Sequence, residues 1–138
     1  MAVRRPLVLD SGLVREFPTG DLMLGTILPL VAYPAVTLTD AATIATNAAL
    51  GSYFRVTLGG NRTLGDPTNP TDTQPVIWEF AQDGTGSRTL TLSSAFVFGA
   101  DLTVVTLTTT ASKRDLMGAI YHGPTSKWLV TFFLKGFA

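Results

Sequence analysis

The 138-residue chain has no cysteine, which excludes disulfides, thiolate metal sites and a thiol nucleophile. It has one histidine, His122, beside a Gly-Pro turn, and no serine sits in a nucleophile elbow. His122 therefore reads as an exposed turn residue. Charge is scarce as well: Asp, Glu, Lys and Arg make up 14% of the chain, against about 25% in ordinary globular proteins. Ten basic residues cancel ten acidic ones. With no basic excess, nucleic acid is excluded as the main partner. A neutral surface also gives little repulsion between copies, so it favours association.

A long apolar run is missing too. The most apolar stretch, residues 22–36, is shorter than the roughly 20 residues a membrane span needs. Pro29 and Pro34 interrupt it, and it follows Asp10, Glu16 and Asp21, which is unlike a secretory signal. The expectation is no membrane anchoring. The length fits one domain of ordinary size.

What is present is a series of short alternating segments between turn residues. Pro6-Leu-Val-Leu9 and Leu13-Val-Arg-Glu-Phe17 flank Asp10-Ser11-Gly12 as hairpin partners. Prolines at 6, 18, 29 and 34 suppress helix, so residues 1–36 read as an extended N-terminal arm. Two readings of the arm stay open. It packs its leucines on its own domain, or it buries them on a neighbouring subunit. The residues that would meet a partner are Arg4, Arg5, Leu7, Leu9, Leu22, Leu24, Ile27, Leu28 and Leu30.

From Ala35 the punctuation becomes regular. Ala35-Val-Thr-Leu38 is a strand. Residues 41–50 fit a short helix capped by Asp40, or a strand over 43–46 followed by a turn at 47–51; the flanking turn residues favour the strand. Tyr53–Leu58 alternates, with Phe54, Val56 and Leu58 on one face. Gly59-Gly60-Asn61 is a tight turn before the returning strand Arg62–Leu64. After the loop 65–72 comes Gln74–Gln82, with Val76, Trp78 and Phe80 inward and Glu79 outward. Asp83-Gly-Thr-Gly86 reads as a hairpin turn into Thr89–Leu92. Residues 95–99 form a further strand, and residues 102–107 another that changes phase between Val104 and Val105. Lys113–Tyr121 and Lys127–Lys135 make a terminal hairpin around His122–Ser126, with Trp128, Val130, Phe132 and Leu134 inward.

Many short strands at even spacing predict an all-β fold, an antiparallel β-sandwich of jelly-roll type over residues 37–138 preceded by the arm. Catalytic chemistry finds no support. Glu79, Asp83 and Asp101 are not forced into one cleft as a carboxylate pair. Asp66, Asn69 and Asp72 share a loop with threonine hydroxyls but lack calcium-loop spacing, so no metal and no cofactor is expected. Trp78 and Trp128 alternate with aliphatic residues, which makes them core and not a sugar-stacking platform.

Several stretches resemble tailed-bacteriophage virion proteins. Arg5-Pro-Leu-Val-Leu9 with Pro18-Thr-Gly-Asp21 resembles an N-terminal motif of such proteins. Arg55-Val-Thr-Leu-Gly-Gly-Asn-Arg-Thr-Leu64, Asn69-Pro-Thr-Asp72, Trp78-Glu79 and Gln82-Asp-Gly-Thr-Gly-Ser-Arg-Thr-Leu90 are similar to a β module that recurs in them. Thr108–Asp115, Ala119-Ile-Tyr121, Lys127-Trp128 and Lys135-Gly136 complete the likeness. The resemblance implies a non-enzymatic structural role on the virion, in a protein made in the host cytoplasm. A compact body with a gripping arm fits a capsid cement or decoration protein on the capsid surface. Its partners would be the major capsid protein and its own copies, as a homodimer or homotrimer. A tail-fibre or baseplate component and a glycan-binding module are the alternatives.

Overall fold

A computed structural model describes residues 7–10, 13–16 and 34–138. The chain divides into two compact units, Met1–Ala32 and Tyr33–Ala138. In the first, β1 (Leu7–Asp10) and β2 (Leu13–Glu16) pair antiparallel, with Leu9 opposite Val14. This antiparallel pairing is the one the sequence predicts for the two segments.

In the second unit nearly all regular structure is β, in two sheets. The order of elements is β3 (Val36–Thr37), β4 (Thr43–Ile44), β5 (Tyr53–Leu58), β6 (Arg62–Leu64), β7 (Pro75–Gln82) and β8 (Leu90–Leu92). Then come β9 (Phe96–Phe98), β10 (Arg114–His122) and β11 (Lys127–Phe137). The larger sheet has the order β3-β5-β7-β10-β11-β9, and the smaller has β4-β6-β8. From β3 to β9 consecutive strands therefore alternate between sheets, and β10 and β11 stay in the larger one. Each of three coils lays one strand in the large sheet and the next in the small one, and successive coils stack in parallel.

The all-β expectation holds, but antiparallel pairing does not describe the coils. Only β1–β2, β7–β10 and β10–β11 pair antiparallel among the described strands. Two expected hairpins are corrected by this. Arg62–Leu64 does not return along β5; it crosses to the small sheet beside Thr43–Ile44. Leu90–Leu92 likewise leaves β7 and pairs with β6. The physical reason lies at the corners. Asp40 accepts from the Gly59 amide at 3.2 Å and from Arg62 Nε and Nη2 at 2.7 Å each. This fork holds the chain at the second sheet. At the next corner Gln82, nearly fully buried, exchanges hydrogen bonds with the Arg88 backbone at 2.8 and 2.9 Å.

The core lies between the sheets. Phe54, Val56, Leu58, Val76, Trp78 and Phe80 from the large sheet join Ile44 and Leu64 from the small one in a single cluster. Trp78 is its centre. Its ring lies 6.3 Å from Phe54, 5.5 Å from Phe96 and 5.4 Å from Trp128, the last two edge-on. Its indole N–H donates to the buried Thr46 hydroxyl at 3.1 Å, so burial leaves no orphan donor. Residues 43–51 follow the strand-then-turn reading: β4 is succeeded by a 3-10 turn, Ala48–Leu50, capped by the Asn47 side chain on the Ala49 amide. Residues 102–107 form no strand, although Val105 and Leu107 are buried as their phase suggests.

The terminal hairpin departs from simple alternation. Two register shifts interrupt it, between Gly118 and Ala119 and between Arg114 and Leu116. At the first, Thr131 is the extra residue, because Ala119 faces Val130 while Gly118 faces Phe132. At the second, Gly136 takes a left-handed φ of 80°, which glycine supplies without steric cost. The shift at Thr131 changes which side chains turn inward. Trp128 and Val130 are buried as expected, but Phe133 and not Phe132 packs on the core, and Leu134 is exposed.

Candidate interaction surface

The polar clusters of the body act as structural ties. The Arg62 hydrogen bond holds the Asp40 carboxyl below its ordinary pKa. Asp83 is pushed down to about 2, first by the Arg88 side chain and then by the Gly86 amide it accepts from. The Tyr53 hydroxyl donates to Glu79 at 2.7 Å; burial first, then this bond, pushes its pKa up to about 12. Asp115, buried on β10, accepts from the Thr108 amide (2.6 Å), the Thr108 hydroxyl (2.7 Å) and the Gly136 amide (2.8 Å). One carboxylate thereby fastens both the 102–112 segment and the glycine bulge to β10. Sequence reading missed this residue; a lone acidic residue in a strand carries no periodic signal of its partners.

The residues singled out from the sequence fall in different places. Arg4, Arg5, Leu22, Leu24, Ile27, Leu28 and Leu30 lie outside the described residues, and Leu7 and Leu9 lie on β1. Glu79 pairs with Arg114 at 3.3 Å, besides accepting from Tyr53. In the 65–72 loop, Asn69 donates to Asn47 at 3.1 Å, while Asp72 accepts from the Gly123 amide at 2.7 Å. Asp72 thus braces the turn that carries His122, whose Nδ1 lies 2.7 Å from the Thr125 hydroxyl. Among the described residues no three His, Asp or Glu side chains gather as a metal-binding group.

Depressions on the body are shallow. One of about 240 Å³ is lined by Arg55, Glu79 and Arg114, and another of about 300 Å³ by Val36, Leu38 and Leu50. Both sit at or below the lower end of the ~300–1,000 Å³ that ligand pockets occupy. Neither gathers groups suited to bond making or breaking.

The feature without an internal explanation is the outer face of the large sheet around β10 and β11. Ile120, Leu129, Leu134 and Phe137 are 39%, 40%, 49% and 45% exposed. Ile120 sits directly opposite Leu129, and Leu116 opposite Leu134, so each pair shares the outer face. Between them the Phe132 ring occupies the space over Gly118, where a Cβ would come within 2.1 Å of it. Only glycine admits that ring. Val97 of β9 and Ile77 of β7 continue the face through their pairing with Leu129 and Gly118. None of these side chains belongs to the core cluster.

No protein-family model, no curated protein and no solved structure matches the chain.

Proposed function

We propose that this chain is a non-enzymatic structural component of a tailed-phage virion, a capsid cement or decoration protein with a two-layered, sandwich-like body. The observation that carries the reading is the apolar outer face of β10 and β11, since an exposed apolar patch of this kind is a protein-association surface. The resemblance of the 55–64, 82–90 and 108–115 stretches to phage virion modules supplies the particle. Neutral charge supports it further, because copies crowded on a shell do not repel one another. Its partners are then the major capsid protein, gripped by residues 1–36, and other copies of the chain. A second reading, a tail-fibre or baseplate part, is favoured by the stacked parallel coils, which extend along one axis as an appendage does.

Electron microscopy of virions labelled with an antibody to this chain tests both. Label on heads is expected, and deletion of residues 2–20 should remove the protein from capsids while leaving a folded body. Label confined to tails selects the second reading. Purified virions without label sink the virion reading altogether.

A further inference from the structure

We propose that the hollow over Ala81, on the outer face of the large sheet, binds a carboxylate. Two rows of side chains frame it. Thr37, Arg55 and Glu79 stand side by side on β3, β5 and β7, and Thr57, Ala81 and Arg114 do so on β5, β7 and β10. Strand alternation aims them outward, because their chain neighbours Phe54, Val56, Phe80 and Asp115 are buried. Ala81 is the shortest side chain of the second row. A depression of about 240 Å³ opens there, lined by both arginines, Glu79 and the two threonines.

Charge selects the ligand. Two guanidiniums against one carboxylate leave the hollow with an excess of one positive charge. Glu79 cannot serve both arginines. Its Oε2 accepts from the Tyr53 hydroxyl at 2.7 Å, and its Oε1 lies 3.3 Å from Arg114 Nε. Arg55 is exposed and directly opposite Glu79 in register, yet among the described residues it makes no hydrogen bond or ion pair. A monoanion restores neutrality, whereas a phosphate dianion would set a second negative charge against Glu79. A planar carboxylate also matches the parallel N–H donors of the Arg55 fork. The Thr37 and Thr57 hydroxyls line the same hollow and can donate as well. The carboxylate comes either from a free small molecule or from an acidic side chain of a partner polypeptide. The inference stands independently of the virion reading, because it concerns only the charge and shape of this hollow.

Proton–nitrogen NMR of the full chain at low salt tests it, with sodium acetate, a blocked peptide holding a single glutamate, and inorganic phosphate as probes. The Arg55 Nε–Hε signal and the Thr57 and Ala81 amides should shift together and saturate with the two carboxylates. Tighter binding of acetate identifies a free carboxylate as the ligand, and tighter binding of the peptide an acidic side chain. Arg55→Gln should weaken binding at least about fivefold, as loss of a charge-assisted hydrogen bond does. Ala81→Leu fills the hollow without touching a charge and should weaken it comparably. Glu79→Gln keeps an acceptor for Tyr53 and removes the opposing charge, so it should tighten binding. Lys127→Gln removes an equal charge at the far end of β11 from Phe137, which faces Arg114, and should leave binding intact. Far-UV circular dichroism checks folding; where Ala81→Leu does not fold, the Arg55 and Glu79 variants decide. A wild-type chain without saturable shifts overturns the proposal. So does phosphate binding as tight as that of the carboxylates, or an equal loss in Arg55→Gln and Lys127→Gln.

Discussion

In the coils over residues 34–92 each large-sheet strand buries one face, and the ties lie at the corners, where Asp40 with Arg62 and Asp83 with Arg88 hold the chain between sheets. In the β10–β11 hairpin both faces carry apolar side chains, and the irregularities lie inside the strands. The coils spend their polar residues on closing themselves. The hairpin has its polar anchor, Asp115, turned inward and leaves a hydrophobic face outward. A region closed by its own polar groups is scaffold; one that stays apolar on its open side has the chemistry of an association surface.

Trp78 joins the two regions, since its ring touches Phe54 of the coils and Trp128 of the hairpin. Trp78→Ala should produce the largest loss, about 3–5 kcal/mol, through the cavity it leaves. Urea unfolding followed by circular dichroism measures it. A loss no greater than the ~0.5 kcal/mol of a surface substitution would show that coils and hairpin are stabilised separately, and the comparison above would break.

The Asp115 tie sharpens the same comparison from the hairpin side. Asp115→Ala leaves two backbone amides and one hydroxyl without their acceptor, at a cost of about 2–3 kcal/mol. Hydrogen exchange should accelerate at the Thr108 and Gly136 amides in particular. Asp115→Asn, which keeps one acceptor oxygen, should fall between. Equal exchange in all three proteins would remove Asp115 from the account of how residues 102–112 are held.

Much of this was legible in the sequence, and the reasons for the rest are specific. Strand positions followed from period-2 alternation, which places Phe54, Val56, Leu58, Val76, Trp78 and Phe80 in the core where the structure has them. Pairing direction was not legible. Gly59-Gly60-Asn61 and Asp83–Gly86 have the chemistry of hairpin turns, yet the same residues serve a corner between sheets. What decides is a partner outside the turn itself, the distant Asp40 for the first and the local Gln82–Arg88 exchange for the second. Unequal spacing also hid the coils: Val36 stacks on Phe54 and Phe54 on Trp78, while Thr43 stacks on Thr63 and Thr63 on Thr91. The exposed apolar face was missed because Thr131 shifts the phase. Alternation from Trp128 carries Phe132 and Leu134 inward, and one extra residue turns both out.

The smallest effect is expected at the coil corners, where solvent screens the ion pairs. The Asp83 carboxyl titrates at about 2 in the folded protein against an ordinary value of 3.8, so folding favours its charged form. A depressed carboxyl stabilises the fold above its unfolded pKa, and that contribution is lost as pH falls from about 4 toward 2. Asp40, lowered by Arg62, acts with the same sign. Carbon NMR of the Asp83 carboxyl through this range should show the low midpoint in the wild-type chain. In Arg88→Gln, which removes the largest cause of the shift, the midpoint should rise toward the ordinary value, and urea unfolding should lose part of its dependence on pH. An unmoved midpoint would transfer the effect to the Thr85 and Gly86 amides, 3.0 and 2.9 Å from Asp83 Oδ1. The corner would then be closed by its backbone turn and not by its ion pair, and charge would cease to distinguish the coils from the hairpin.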